Sequence, residues 1–270
     1  MYALDFEYDK HYLSDFGFIV CDFNQAVGAD IVDTGSDITF NTVSINRGKK
    51  RNAVGAQYEE CLQTTIHICK DPDKTDDKVI SRDEYRDIVR WLCREEYLPL
   101  CVIYDDNFEC DTCYFDASFN VNKIEINKIL YGLELTIQTN RPFGYGVERK
   151  EYIQFTETAL QNRVIDHNDV IGITHPDMTI TCSQDGALSI SNETIGCTMT
   201  IQNCVQGEII EIYGNERIIT SSVATHALYN DFNFQFFQIG NTYEDRKNTI
   251  SASAPCVVEI RYKPTMYSTP

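Results

Sequence analysis

The sequence predicts a mainly β protein of two domains, the first β-rich with one helix and the second all β. Three observations predict it. Apolar and polar residues alternate with period two over much of the chain, the pattern of half-buried strands. One segment alone shows helical spacing, behind a capping box. Past a Pro/Gly-rich interruption near residue 145, short strands recur between turn formers, as in a sandwich or jelly roll. The domains are expected at residues 1–145 and 146–270.

The elements follow in order. Residues 2–8, 16–23, 38–45, 62–69 and 133–139 alternate and are read as strands. Cys61 and Cys69 share strand parity, so both are expected on one core-facing side. Residues 70–78 are polar throughout and are read as an exposed loop. In Ser81-Arg82-Asp83-Glu84 the Ser hydroxyl can accept from the Glu84 backbone N–H while the Glu84 carboxylate reaches back. Tyr85, Ile88, Val89 and Leu92 then form one apolar stripe, and Pro99 marks the stop. Arg141-Pro142-Phe143-Gly144-Tyr145-Gly146 interrupts a strand and marks the domain boundary. Beyond it, strands are read at 178–182, 187–191, 198–201, 209–213, 217–220, 248–252 and 256–262. Gln184-Asp185-Gly186, Gln206-Gly207 and Gly214-Asn215 punctuate them.

The charge narrows the function. The 270 residues hold 23 Lys+Arg against 41 Asp+Glu, net -18. Both halves are acidic, so neither carries the basic footprint of a phosphate-backbone binder. The run Arg47-Gly48-Lys49-Lys50-Arg51 is read as a solvated turn or hairpin tip, with a bound anion or an acidic neighbouring subunit as the alternative. No apolar stretch is long enough to span a bilayer, so no membrane insertion is expected. The N-terminus lacks the basic start and apolar middle of a signal peptide, so folding in a cytoplasm is expected. Eleven cysteines are then expected mostly as free thiols acting as small hydrophobes.

No motif completes a catalytic set. Ile31-Val32-Asp33-Thr34-Gly35-Ser36 looks like an aspartic protease loop, but that chemistry needs a second carboxylate loop, and the sequence has none. A β-turn accounts for it. Cys110-Asp111-Thr112-Cys113 is half a zinc site, with Cys110 and Cys113 as weak metal candidates, and lacks a second pair at finger or ribbon spacing. The five histidines form no ligand pair. Asp76-Asp77 and Asp105-Asp106 lack a calcium-loop pattern. In residues 229–237, Phe232, Phe234 and Phe236 are expected on one face and Asn233 and Gln235 on the other. They are expected in the core, with sugar stacking as the functional alternative. No enzyme activity and no cofactor are expected.

The order of segments resembles, nearly end to end, the distal tail proteins of siphophages that infect Gram-positive bacteria. The opening strand and Ser14-Asp15-Phe16-Gly17 fit, as do the helix with Trp91-Leu92 and then Pro99-Leu100. Cys113-Tyr114-Phe115, Leu133-Glu134-Leu135-Thr136-Ile137 and the Arg141-Pro142-Phe143-Gly144 junction also fit. In the second half the resemblance rests on Ile190-Ser191-Asn192-Glu193-Thr194, Gln206-Gly207-Glu208, Leu228-Tyr229-Asn230-Asp231-Phe232, Asn248-Thr249-Ile250, and the closing Val257 to Pro264. It implies an N-terminal, β-barrel-like ring-forming domain and a C-terminal galectin-like, carbohydrate-binding-module-like β-sandwich. It also implies a hexameric ring in the virion tail tip, made in the host bacterial cytoplasm. The ring would join the tail tube protein to the tail hub, tail-associated protein or adhesin, and DNA would pass its lumen without specific binding. The alternative is an adhesion protein that recognises host cell-wall sugars through the second domain.

Overall fold

The computed structural model describes residues 3–23, 38–44, 51–58, 61–104 and 112–267. The fold is mainly β, with the strands of two compact units. One unit is Met1–Gly146 with Met266–Pro270; the other is Val147–Thr265.

The first unit is built on one nine-stranded sheet. Its main path runs His11–Tyr12, Ala3–Tyr8, Leu98–Tyr104, Tyr114–Ile126, Ile129–Thr139, Gln63–Lys70 and Phe18–Cys21. Gly144–Tyr145 pairs with Tyr114–Ile126 and with Thr265–Met266. The expected barrel-like closure is not there: the end strands His11–Tyr12 and Phe18–Cys21 do not pair, and the sheet stays open. These strands have two and four residues, too little ladder to close a barrel. The 3₁₀ turn Leu13–Phe16 takes up the start of the strand expected at 16–23.

Period-two burial runs as the pattern requires. Phe6 and Tyr8, then Phe115, Ala117 and Phe119, then Leu133, Leu135 and Ile137, all enter one core. The helix Arg82–Leu92 lies behind its capping box. The Ser81 hydroxyl accepts from the Glu84 N–H at 3.3 Å, and the Glu84 carboxylate accepts from the Ser81 N–H at 2.7 Å. The buried stripe is Ile88, Trp91 and Leu92. The Trp91 indole N–H donates to the Tyr8 carbonyl at 3.0 Å, and the ring stacks on Phe16 at 4.5 Å and Phe6 at 5.6 Å. Burial pushes the Tyr8 phenol up to about 12. Cys61 departs from its expected place: it is exposed, outside the strand Gln63–Lys70, while Cys69 is half-buried. The buried parity here belongs to Leu62 and Ile68.

The second unit packs two antiparallel sheets around one core. The five-stranded sheet runs Arg149–Phe155, Cys256–Tyr262, Asp177–Cys182, Ile209–Tyr213, Ile218–Ser221. The four-stranded sheet runs Gln161–Ile165, Lys247–Ala252, Gly186–Asn192, Cys197–Cys204. A two-stranded pair, Gly172–Thr174 with Ile239–Asn241, is pinned by buried asparagines. The Asn248 amide oxygen accepts from the Gly240 N–H at 2.9 Å and from the Asn192 amide at 2.7 Å. Its amide nitrogen donates to the Gly240 carbonyl at 2.9 Å.

Candidate functional site

Among the described residues of the first unit, a separate two-stranded hairpin, Ile38–Ser44 with Arg51–Tyr58, exposes several large apolar side chains. Thr, Val and Phe give these strands their extended preference. The register pairs Ile38 with Tyr58, Phe40 with Ala56 and Thr42 with Ala53. Val54 is the extra residue where the register shifts. Cross-strand partners share a face, so Ile38, Phe40, Ala53, Ala56 and Tyr58 make one apolar side. That side has little cover: Ile38 is 49% exposed and Phe40 59%. Its Tyr58 end is anchored: the ring is edge-on to Phe143 at 4.6 Å, Phe143 is edge-on to Tyr267 at 5.4 Å, and the Tyr58 and Tyr267 hydroxyls lie 3.5 Å apart. A lone two-stranded hairpin is marginal in water, and an exposed apolar one is made for contact.

A second hairpin, Tyr114–Ile126 with Ile129–Thr139, runs out of the core. Asn127 and Lys128 both have positive φ, the signature of a tight primed turn. At its tip Ile126 and Ile129 are exposed.

The sequence-predicted site residues separate. Cys110 lies outside the described residues, as do Asp33 with its turn, Asp105-Asp106 and most of the basic run. Cys113 is half-buried against the core of the first unit. It packs so closely on Gly144 that a Cβ there would sit 2.2 Å from its sulfur. Asp76 and Asp77 are exposed, and the Asp77 carboxylate accepts from the Val79 N–H. Phe232, Phe234 and Phe236 do not share a face. A helical turn, Leu228–Asp231, and a positive φ at Phe234 break the alternation. Phe232 and Phe236 go into the core, edge-to-face at 5.1 Å, and the Arg217 guanidinium lies over Phe236. Phe234 alone is exposed, beside Tyr229. Two buried rings have no face left for a sugar, so the three do not form one stacking platform.

Sequence spacing missed a buried polar cluster in the second unit. The His226 Nδ1 and the Ser221 hydroxyl both donate to the Glu208 carboxylate, the former at 2.5 Å. Glu208 Oε2 accepts from the Val205 N–H at 2.9 Å. Burial raises the Glu208 pKa, but these donors outweigh it and hold it below the ordinary carboxylate value. Burial lowers the His226 pKa, but Glu208 outweighs that and raises it. The Ser221 hydroxyl donates to the carboxylate and not to the imidazole. The cluster orders the turn.

A family described as phage tail protein N-terminal domain matches residues 1–141, and one described as phage tail C-terminal domain matches residues 143–262. The chain belongs to this phage tail family. The tail protein is 24% identical over 182 residues to the SPbeta prophage-derived uncharacterized protein YomH of Bacillus subtilis (strain 168), covering 66% of this chain and 68% of that one. Among solved structures it is similar to the SPP1 Dit (gp 19.1) protein, described as a paradigm of the hub adsorption apparatus in Gram-positive-infecting phages. The match has a TM-score of 0.62 at 11% identity and covers 97% of the tail protein and 99% of Dit. The two share a fold. The tail protein is thus a structural component of a phage tail.

Proposed function

We propose that the tail protein forms a homo-oligomeric ring, a hexamer, in the tail tip, joining the tail tube to the hub or adhesion device and leaving a lumen for DNA. The hairpin Ile38–Ser44/Arg51–Tyr58 carries this reading. Beyond its Tyr58 end, its apolar side is largely open within the described chain, and a neighbouring copy would bury it. A ring is a closed set of such heterologous contacts. The fold shared with a hub adsorption protein supports the placement. The net charge of -18 suits passage of DNA, because an acidic lumen repels phosphates. The role is architectural and calls for no reaction.

Light scattering of the full chain, with negative-stain images of the same peak, tests this. Six chains of 31.0 kDa give 186 kDa, and a ring of that mass is expected. A 31.0-kDa monomer at every concentration, and no ring in assembled tails, would sink it.

A further inference from the structure

We propose that Cys182, Cys204 and Glu208 form a binding site for one zinc-class divalent cation in the core of the second unit. Their two sulfurs and one carboxylate oxygen lie within 4.8 Å of one another, and all three residues are buried. Thiolates at about 2.3 Å and a carboxylate oxygen at about 2.0–2.2 Å around one zinc ion would stand roughly 3–4 Å apart, close to that spacing. The donors already converge.

They sit on rigid backbone. Cys182 ends the strand Asp177–Cys182, Cys204 ends Cys197–Cys204, and Glu208 directly precedes Ile209–Tyr213. The Cys182 N–H donates to the Glu208 carbonyl at 2.9 Å, and the Gly207 N–H donates to the Cys182 carbonyl at 2.8 Å. This clamps two of the ligands to each other. Cys256, also buried, is the cross-strand partner of Cys182 and stands outside the set of three.

Behind the ligands stands an orienting shell. His226 Nδ1 contacts Glu208 Oε1 at 2.5 Å, and His226 Nε2 contacts the Gln202 carbonyl at 2.9 Å. Oε2 accepts one backbone hydrogen bond and keeps a lone pair for a cation. A ligand carboxylate held in this way is the usual outer arrangement of a metal site. Buried thiols alone need no partner, being small hydrophobes. The carboxylate among them is already held as an anion by its His226, Ser221 and Val205 donors, so it stands as a charged oxygen ligand beside the two sulfurs. The ligands must lose their protons to bind, and the folded site forms only with the sheet, so metal is taken up on folding.

The test uses the full chain, unfolded and refolded with Zn(II), desalted, and assayed for metal by mass spectrometry. Cd(II) is the spectroscopic probe, through its thiolate charge-transfer absorption. One metal ion per chain is expected, lost in Cys204→Ser and in Glu208→Gln, and kept in Cys197→Ser, a half-buried thiol outside the set. If the Cys204 variant does not fold, the Cd(II)–thiolate band of the unaltered chain decides alone. A folded, metal-free chain without that band overturns the site, as does metal kept in Cys182→Ala/Cys204→Ala. So does a Cys182–Cys204 disulfide in the folded chain as purified.

Discussion

At the scale of single residues, stability in the second unit hangs on side chains whose type alone does not announce their role. Asn248 closes three hydrogen bonds in a buried setting. Asn248→Ala strands the Gly240 backbone groups and is expected to cost about 1–3 kcal/mol, read as a lower urea midpoint. An unchanged midpoint would show that the network carries no load. Gly214 is constrained by space: a Cβ would fall 2.3 Å from the Pro176 carbonyl oxygen and 2.4 Å from that of His175. Gly214→Ala therefore forces backbone apart and should cost roughly 1–3 kcal/mol, seen as a reduced melting temperature. Neither role is visible in sequence, where Asn and Gly both read as turn formers. Glu208 and His226 escaped for a related reason. They are 18 positions apart with no motif between them, and only the fold brings them together.

At the scale of elements, most of the architecture was legible. Strands expected at 209–213 and 256–262 coincide with Ile209–Tyr213 and Cys256–Tyr262, because alternation and flanking turns agree there. Gln161–Ile165 and Gly172–Thr174 were not read, since neither alternates; pairing with Lys247–Ala252 and Ile239–Asn241 makes them strands. Alternation misled at Phe232 to Phe236, where one positive φ cancels the pattern. The helix was the clearest element, and its cap is testable. Ser81→Ala removes the acceptor for the Glu84 N–H and should cost about 1 kcal/mol in thermal or urea unfolding. Glu84 adds a pH dependence. Burial raises its pKa, but Lys70 at 2.9 Å and the Ser81 donors outweigh this, and the folded value lies below the ordinary 4.5. The folded form thus favours the carboxylate. Its stabilisation is present above the unfolded value and is lost as pH falls through the depressed folded value. Glu84→Gln should flatten that part of a stability–pH curve, and a superimposable curve would refute the assignment.

At the scale of the whole molecule, the proposed ring makes the apolar hairpin the place to test assembly. Phe40→Asp puts a charge on the side proposed to meet a neighbour while leaving both cores untouched. The expected result is loss of the 186 kDa species in favour of the 31.0 kDa chain, with an unchanged circular dichroism spectrum. Persistence of the ring would assign the contact elsewhere. The other hairpin, Tyr114–Ile126 with Ile129–Thr139, follows a separate rule. Its tip stands clear of the core and is closed by two residues, so insertions there leave every buried position in register. Each residue added per strand extends it by about 3.4 Å and turns the tip side chains to the opposite face. Length variants that preserve the facing of Ile126 and Ile129 therefore come in steps of two residues per strand, about 7 Å of reach at a time. Related tails can diversify along that arm by insertion and deletion without renegotiating the fold beneath it.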